Sequence, residues 1–403
     1  MAELRRVLRL FDVTLAGIGL ILGAGIYTLI GIAASSSGNA TWLSFLISAI
    51  IVIFTGLSYA ELSSIFKGNA GEYNYLSIAF NRKFALLTSL SIIFAGFTSA
   101  SAVALGFAFY LSSLIKIPII VGAVLLILLM TFINFKGIKE SNRFNKFSTM
   151  VEFAGLIIII LLGITKFGSV NYLEMPNGFS GVFSSAALIF FAYLGFEGII
   201  KLSDETKNPQ KIIPKALIYS ILITAVVYIL VAISAVSVIG WEELANSKAP
   251  LATVASAVFG PWAFFLLGII ALFSTSNTVL IILVTTSRMI YGMAKTKSLP
   301  FVFSKVHEKT RTPYIAILSL MAASILFVLI GNLKFIANLT NLFLFFTFAS
   351  VNLGLIVLRY KCRYKKRGFV CPGNIGKFSV IALFGFLSSL FMFVYVIFNL
   401  ITI

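Results

Sequence analysis

Apolar residues run along this chain in blocks too long for the core of a soluble domain. Crossing a hydrocarbon core of about 30 Å takes roughly 20 helical residues. Blocks of that kind fall near 12–34, 41–66, 84–113, 117–135, 147–165, 181–200, 216–239, 251–287, 313–331, 336–358 and 378–401. The pattern predicts an all-α integral membrane protein with eleven transmembrane helices. The eighth block far exceeds the minimum, which implies tilt or extension beyond the bilayer. Barrel strands would alternate in polarity over about ten residues, and these blocks do not. The first block is longer than the apolar region of a signal peptide and is polar at its midpoint, so no cleavable leader is expected.

Composition agrees with this reading. Of 403 residues, 60% are hydrophobic and 11% charged, against roughly 25% charged in soluble domains, which excludes a water-soluble globule and predicts one membrane-embedded body over 1–403. The formal charge of +18 would suggest nucleic acid if it formed one patch. Sorted by alternate loops, however, 27 of the 31 Lys and Arg fall on one side, and only Lys116, Lys166, Lys248 and Lys334 on the other. The positive-inside rule then sets the chain in the cell membrane with its amino terminus cytoplasmic and its carboxyl terminus outside. The charge is topology and lipid electrostatics, and no nucleic-acid partner is expected. Cys362 and Cys371 fall in the last cytoplasmic loop, a reducing compartment, where they are expected to be free thiols. That loop has too few ligands for zinc, and neither metal nor cofactor is expected. His307, in the preceding cytoplasmic loop, reads as an exposed loop histidine.

Five spans lie within 12–166 and five within 181–358, leaving 378–401 as an extra helix. With an odd number of crossings per half, two halves of one fold would be inserted upside down relative to each other, the inverted-repeat architecture of many secondary transporters. Its sequence pointer is a helix breaker at the same place in each half, and the first helix of each half has one. The first span carries Gly17, Gly19, Gly23 and Gly25 within nine residues, each costing up to about 1 kcal/mol relative to alanine inside a helix. Gly17, Gly19 and Ala16 fit close helix packing. Gly23-Ala24-Gly25 fits better an unwound segment, which is tolerated at this depth only where it lines a cavity. The half-helix starting there presents a positive dipole end suited to a carboxylate.

The sixth span reads Phe190-Phe191-Ala192-Tyr193-Leu194-Gly195-Phe196-Glu197-Gly198, a glycine pair around an intramembrane acid. Carbonyls freed by a break here, and that of Ile21 opposite, would accept an ammonium group, so the paired breaks would hold a zwitterion. Phe191, Tyr193 and Phe196 fit either ordinary aromatic packing or a cap over the substrate.

These residues resemble the amino acid/polyamine/organocation (APC) superfamily of permeases, nearest its archaeal and bacterial members similar to cationic amino acid transporters. The resemblance lies in Gly23-Ala24-Gly25-Ile26, in Leu57-Ser58-Tyr59-Ala60-Glu61-Leu62 followed by Gly71-Glu72-Tyr73-Asn74-Tyr75, and in the sixth-span stretch. It continues through Asp204-Glu205-Thr206-Lys207-Asn208-Pro209 and Ser287-Arg288-Met289-Ile290-Tyr291-Gly292. It implies a five-plus-five inverted repeat with discontinuous helices 1 and 6, alternating access, and an amino acid held between those helices. By the same resemblance the carboxylate meets the N–H groups of Ala24 and Gly25, and the amine meets the carbonyls of Ile21, Phe191 and Leu194. Many relatives have twelve helices rather than eleven.

Two acids fall well inside spans, Glu152 and Glu197, and a buried carboxylate costs on the order of 2–3 kcal/mol even on the lenient insertion scale. Glu152 stands where the resemblance implies a lysine in proton-coupled members, near carbonyls belonging here to Gly19 and Leu22. A glutamate there holds a proton or binds a cation. The competing reading of Glu152 is a water-facing side chain near the cytoplasmic end. Glu197 follows the sixth-span break and reads as a proton-sensitive group, against a purely structural role. Ser274, Thr275, Ser276 and Asn277 either line an ion site or bond their own helix carbonyls. The expected function is proton-coupled amino acid uptake, with neutral substrates favoured because Glu197 is the sole acid placed to meet a cationic side chain. An amino acid/amine exchanger and a sodium-coupled symporter are the alternatives. No metal-spaced cluster or base–nucleophile pair supports an enzyme, and no pore-lining charge ring supports a channel.

Overall fold

The computed structural model describes residues 8–66, 71–295, 297–361 and 367–401. The chain is helical almost throughout. In order, α1 spans Leu10–Ile21, α2 Ala24–Ser37, α3 Thr41–Ile65, α4 Gly71–Ala79, α5 Arg82–Leu114, α6 Ile119–Lys136 and α7 Ile138–Ile164. Then follow α8 (Gly178–Ile189), α9 (Pro209–Asn246), α10 (Pro250–Phe259), α11 (Pro261–Lys295), α12 (Tyr314–Val328), α13 (Leu333–Lys361) and α14 (Val380–Ile401). Between α13 and α14 a two-residue hairpin pairs β1 (Asn374–Ile375) with β2 (Phe378–Ser379). Cys371 in that connection is a free, buried thiol, whereas Cys362 lies outside the described residues.

Among the described residues nine stretches are long and apolar enough to cross a bilayer. Four of the expected blocks differ from a single long helix, and block 181–200 gives way after Ile189 to two 3₁₀ segments. Block 12–34 divides into α1 and α2. Block 251–287 divides at Gly260, whose φ of +82° favours glycine, and Pro261 opens the next helix, where its missing N–H costs nothing. The last, 313–331, shortens to the 15 residues of α12, about 22 Å at 1.5 Å per residue. Val121, Leu125, Leu128 and Phe132 form an exposed apolar stripe on α6 at helical spacing, the face that lipid would cover.

Inside, two apolar clusters form. Ile21 and Leu22 belong to one with Tyr59, Tyr193 and Tyr228, while Ala24 and Phe191 belong to the other with Leu105 and Leu283. The break in the first span therefore sits on the seam between two packed bodies. His307 is not simply exposed: its ring packs 5.1 Å from that of Phe135, and its Nδ1 accepts the Thr310 N–H at 3.3 Å.

Candidate functional site

The first break is short. α1 ends at Ile21, Leu22 turns to φ −57° and ψ 124°, Gly23 is extended, and α2 restarts at Ala24. Space rather than dihedral freedom explains the glycines. A Cβ on Gly23 would lie 2.8 Å from the Thr278 hydroxyl, and one on Gly25 would run into the Ala192 backbone. The N–H of Ala24 donates to Thr278 Oγ1 at 3.0 Å.

The second break faces it. α8 ends at Ile189, one 3₁₀ turn covers Phe190–Tyr193, Leu194 is extended, and a second 3₁₀ segment begins at Phe196. Here Gly195 needs its conformational freedom, with φ +105°, and a Cβ would collide with the Leu20 carbonyl. Its N–H donates to Glu197 Oε2 at 3.1 Å. The Tyr228 hydroxyl of α9 lies 3.0 Å from the carbonyl oxygens of both Ile21 and Ala192, so one phenol ties the two breaks together.

Between the breaks lies a cavity of about 110 Å³, where one ordered water needs roughly 10–15 Å³. Gly19, Ile21, Leu22, Gly23, Ala24, Gly25, Phe191, Leu194 and Glu197 line it, as do Ser99 of α5 and Thr278, Thr285 and Thr286 of α11. Ile26 and Tyr193 are not among its lining residues. Ile26 is packed in the core, and Tyr193 donates its hydroxyl to the Phe45 carbonyl at 3.0 Å. Two backbone groups assigned to the substrate by resemblance already have partners, Thr278 for the Ala24 N–H and Tyr228 for the Ile21 carbonyl. A carbonyl has a second lone pair to offer; an N–H has one proton, so Ala24 must exchange Thr278 for any ligand.

Sequence reasoning missed Glu72. On α4, it lines the cavity and accepts the Tyr59 hydroxyl at 3.0 Å, so Glu197 is not the sole acid there. Its signal is a lone charge amid the aromatic run Tyr73-Asn74-Tyr75, in a segment that hydropathy treats as a connection.

The profile of a family described as amino acid permease matches residues 8–402. The chain belongs to that family. It is an APC-superfamily permease, a multi-pass membrane transporter and not an enzyme. The permease is 31% identical over 393 residues to the branched-chain amino acid permease BcaP of Bacillus subtilis, covering 92% of this chain and 84% of that one. It is likewise 31% identical to the methylthioribose transporter of the same organism, over 92% and 85% of the two chains. Cationic amino acid transporter 1 of Arabidopsis thaliana is 29% identical, over 89% of this permease and 63% of the plant protein.

Behind the cavity of the permease, and not lining it, Glu152 of α7 is fully buried. Its Oε1 accepts the Ser274 hydroxyl of α11 at 2.6 Å, and its Oε2 has no partner among the described residues. Its backbone carbonyl accepts the Tyr27 hydroxyl at 3.1 Å. Thr275, by contrast, bonds the Ala271 carbonyl of its own helix at 2.7 Å.

Proposed function

We propose that this permease is a secondary active transporter that carries an amino acid into the cell by alternating access, driven by protons. One observation carries the reading: two interrupted spans meet across one cavity, offering backbone groups that a zwitterion's two ends would bind. Residues 12–166 and 181–358 are read as inverted halves and 378–401 as an addition outside them. The asymmetry of Lys and Arg supports a cytoplasmic amino terminus in the cell membrane and an external carboxyl terminus.

Ile21, Gly23, Ala24, Gly25, Phe191 and Leu194 are the proposed substrate contacts. Ile92, Ile281, Ile282, Met289 and Leu344 give the cavity an apolar wall that suits an aliphatic side chain. A cationic substrate is the second reading, favoured by Glu72 and Glu197 in the same cavity. Glu152 is the proposed coupling group: buried, held through one oxygen, and left with a free oxygen for a proton.

Proteoliposome uptake tests this directly. Labelled leucine should accumulate under an inward proton gradient without sodium, and lysine should compete weakly. Accumulation that requires internal amino acid would replace the reading with exchange, and a sodium requirement would replace the coupling ion.

A further inference from the structure

The helices that hold Glu152 run antiparallel. Glu152 of α7 meets Ser274 of α11, while Asn145, seven residues earlier, meets Asn277, three residues later. Asn145, Thr149 and Glu152 recur at helical spacing on one face of α7. Asn277 Nδ2 donates to Asn145 Oδ1 at 3.0 Å and approaches Thr149 Oγ1 at 3.5 Å, and Thr149 Oγ1 donates to Asn145 Oδ1 at 3.3 Å. Burial deepens along this row. Asn145 and Thr149 are half-buried, whereas Asn277, Ser274 and Glu152 are buried.

The row does not line the central cavity. Thr149 packs behind Gly19, where a Cβ would lie 2.6 Å from Thr149 Cγ2. Three buried side-chain atoms on these two helices have no hydrogen-bond partner among the described residues: Ser148 Oγ, Glu152 Oε2 and Asn277 Oδ1. Ser148 and Glu152 are one turn apart, and Asn277 is one turn from Ser274. Buried polar atoms are ordinarily hydrogen-bonded, by protein or by ordered water. Three orphans on two neighbouring helices are atoms that ordered water would satisfy.

We propose that Asn145, Thr149 and Asn277 form a hydrated path along the α7–α11 interface through which Glu152 exchanges its proton with the aqueous phase at the Lys146 end of α7, separately from the substrate cavity. The proposal rests on the reading of Glu152 as the coupling group. A proton enters from bulk water, passes along ordered water and the hydroxyls of Thr149 and Ser148, and ends on Glu152 Oε2, converting carboxylate to carboxylic acid; release reverses the path. Hydroxyls both donate and accept and so relay a proton by rotating, while the two asparagine amides hold the water in position.

The titratable groups facing Glu152 are Tyr27 from α2 and Tyr228 from α9, with Tyr110 of α5 edge-on to Tyr27. The nearest charges on α7 itself, Arg143 and Lys146, are exposed. On the helices around it, Lys136 of α6, Lys211, Lys215, Glu242 and Glu243 of α9 and Lys295 of α11 are exposed toward helix ends, as is Asp12 of α1. Arg288 of α11 lies about four turns beyond Ser274. The path is thus the polar connection between Glu152 and water at that end.

Infrared spectroscopy of the full, substrate-free chain in lipid tests the path without any transport measurement. The protonated Glu152 carbonyl band is identified by its loss in Glu152→Gln, and its isotope shift is timed after transfer to D₂O. Asn277→Leu and Asn145→Leu should slow that shift at least about tenfold, and Asn277→Thr should restore it. An unchanged rate in folded Leu variants overturns the path and leaves the coupling reading standing. Absence of any Glu152 band from acid to mildly alkaline buffer overturns both, while substrate uptake stands on its own assay. If Asn277→Leu does not fold, Asn145→Leu, at a half-buried position, carries the same test.

Discussion

The Thr278 hydroxyl accepts the N–H of Ala24 at 3.0 Å while donating to the Ser274 carbonyl of its own helix, also at 3.0 Å. A side chain of α11 therefore caps the restart of the first span, from the same helical turn that holds Glu152. Thr278→Val keeps the shape and removes the acceptor. The apo permease should lose on the order of 1–3 kcal/mol, the cost of a buried N–H left unmade. Added amino acid should raise the variant's melting temperature more than it raises that of the unmodified permease, because a carboxylate then fills the vacated bond. An equal ligand shift in both proteins would remove the Ala24 N–H from the proposed contacts.

Gly25→Leu should abolish uptake, since even a Cβ there meets the Ala192 backbone. Uptake normalised to inserted protein is the measurement. Full activity would take the cavity out of the transport path.

Glu61 of α3 is buried beneath donors from three residues, Arg359 giving two of them, with its Nε at 2.9 Å. Arg359 Nη2 reaches it at 2.5 Å, Arg367 Nη1 at 2.8 Å and the Cys371 N–H at 2.8 Å. Both members of the Glu61–Arg359 pair are almost wholly removed from solvent. Glu61→Ala should therefore cost about 3–5 kcal/mol by stranding a buried cation, and an apolar Glu61→Leu/Arg359→Met double variant should cost less than either single change. Thermal unfolding in detergent compares them, and additive losses would refute the argument.

Burial, and after it the neighbouring Glu61 carboxylate, pushes the Cys371 thiol well above the ordinary cysteine range. A group whose folded pKa is raised contributes stability that is complete below its unfolded value, about 8.5, and is lost as pH rises toward the folded one. Alkaline unfolding should thus begin above that pH and be blunted in Cys371→Ala. In a Cys362→Ser background, alkylation of Cys371 at pH about 8.5 should run at least tenfold slower than for the unfolded chain. Equal rates would mean an open thiol.

The interruptions at Gly23–Gly25 and Gly195 are legible in sequence because glycines clustered at mid-span have few uses in lipid. The division of the eighth block is hidden, since Gly260-Pro261 sits inside an unbroken apolar run and hydropathy does not register a change of direction. Glu72 escapes for the converse reason: its segment is too polar and short to be read as membrane-buried, and only tertiary packing carries it to the cavity. Thr278 and Tyr228 belong to long helices whose spacing marks a face without naming what the face meets. Partners 207 and 254 residues away in sequence, Ile21 and Ala24, are beyond any local pattern.

Tyr228 has one proton and two carbonyl oxygens within reach, one from each interrupted span. Drawing either oxygen away lets the proton settle fully on the other, so parting the spans costs less than two separate hydrogen bonds would. A joint built this way is firm at rest yet cheap to open, which suits the alternating access proposed above.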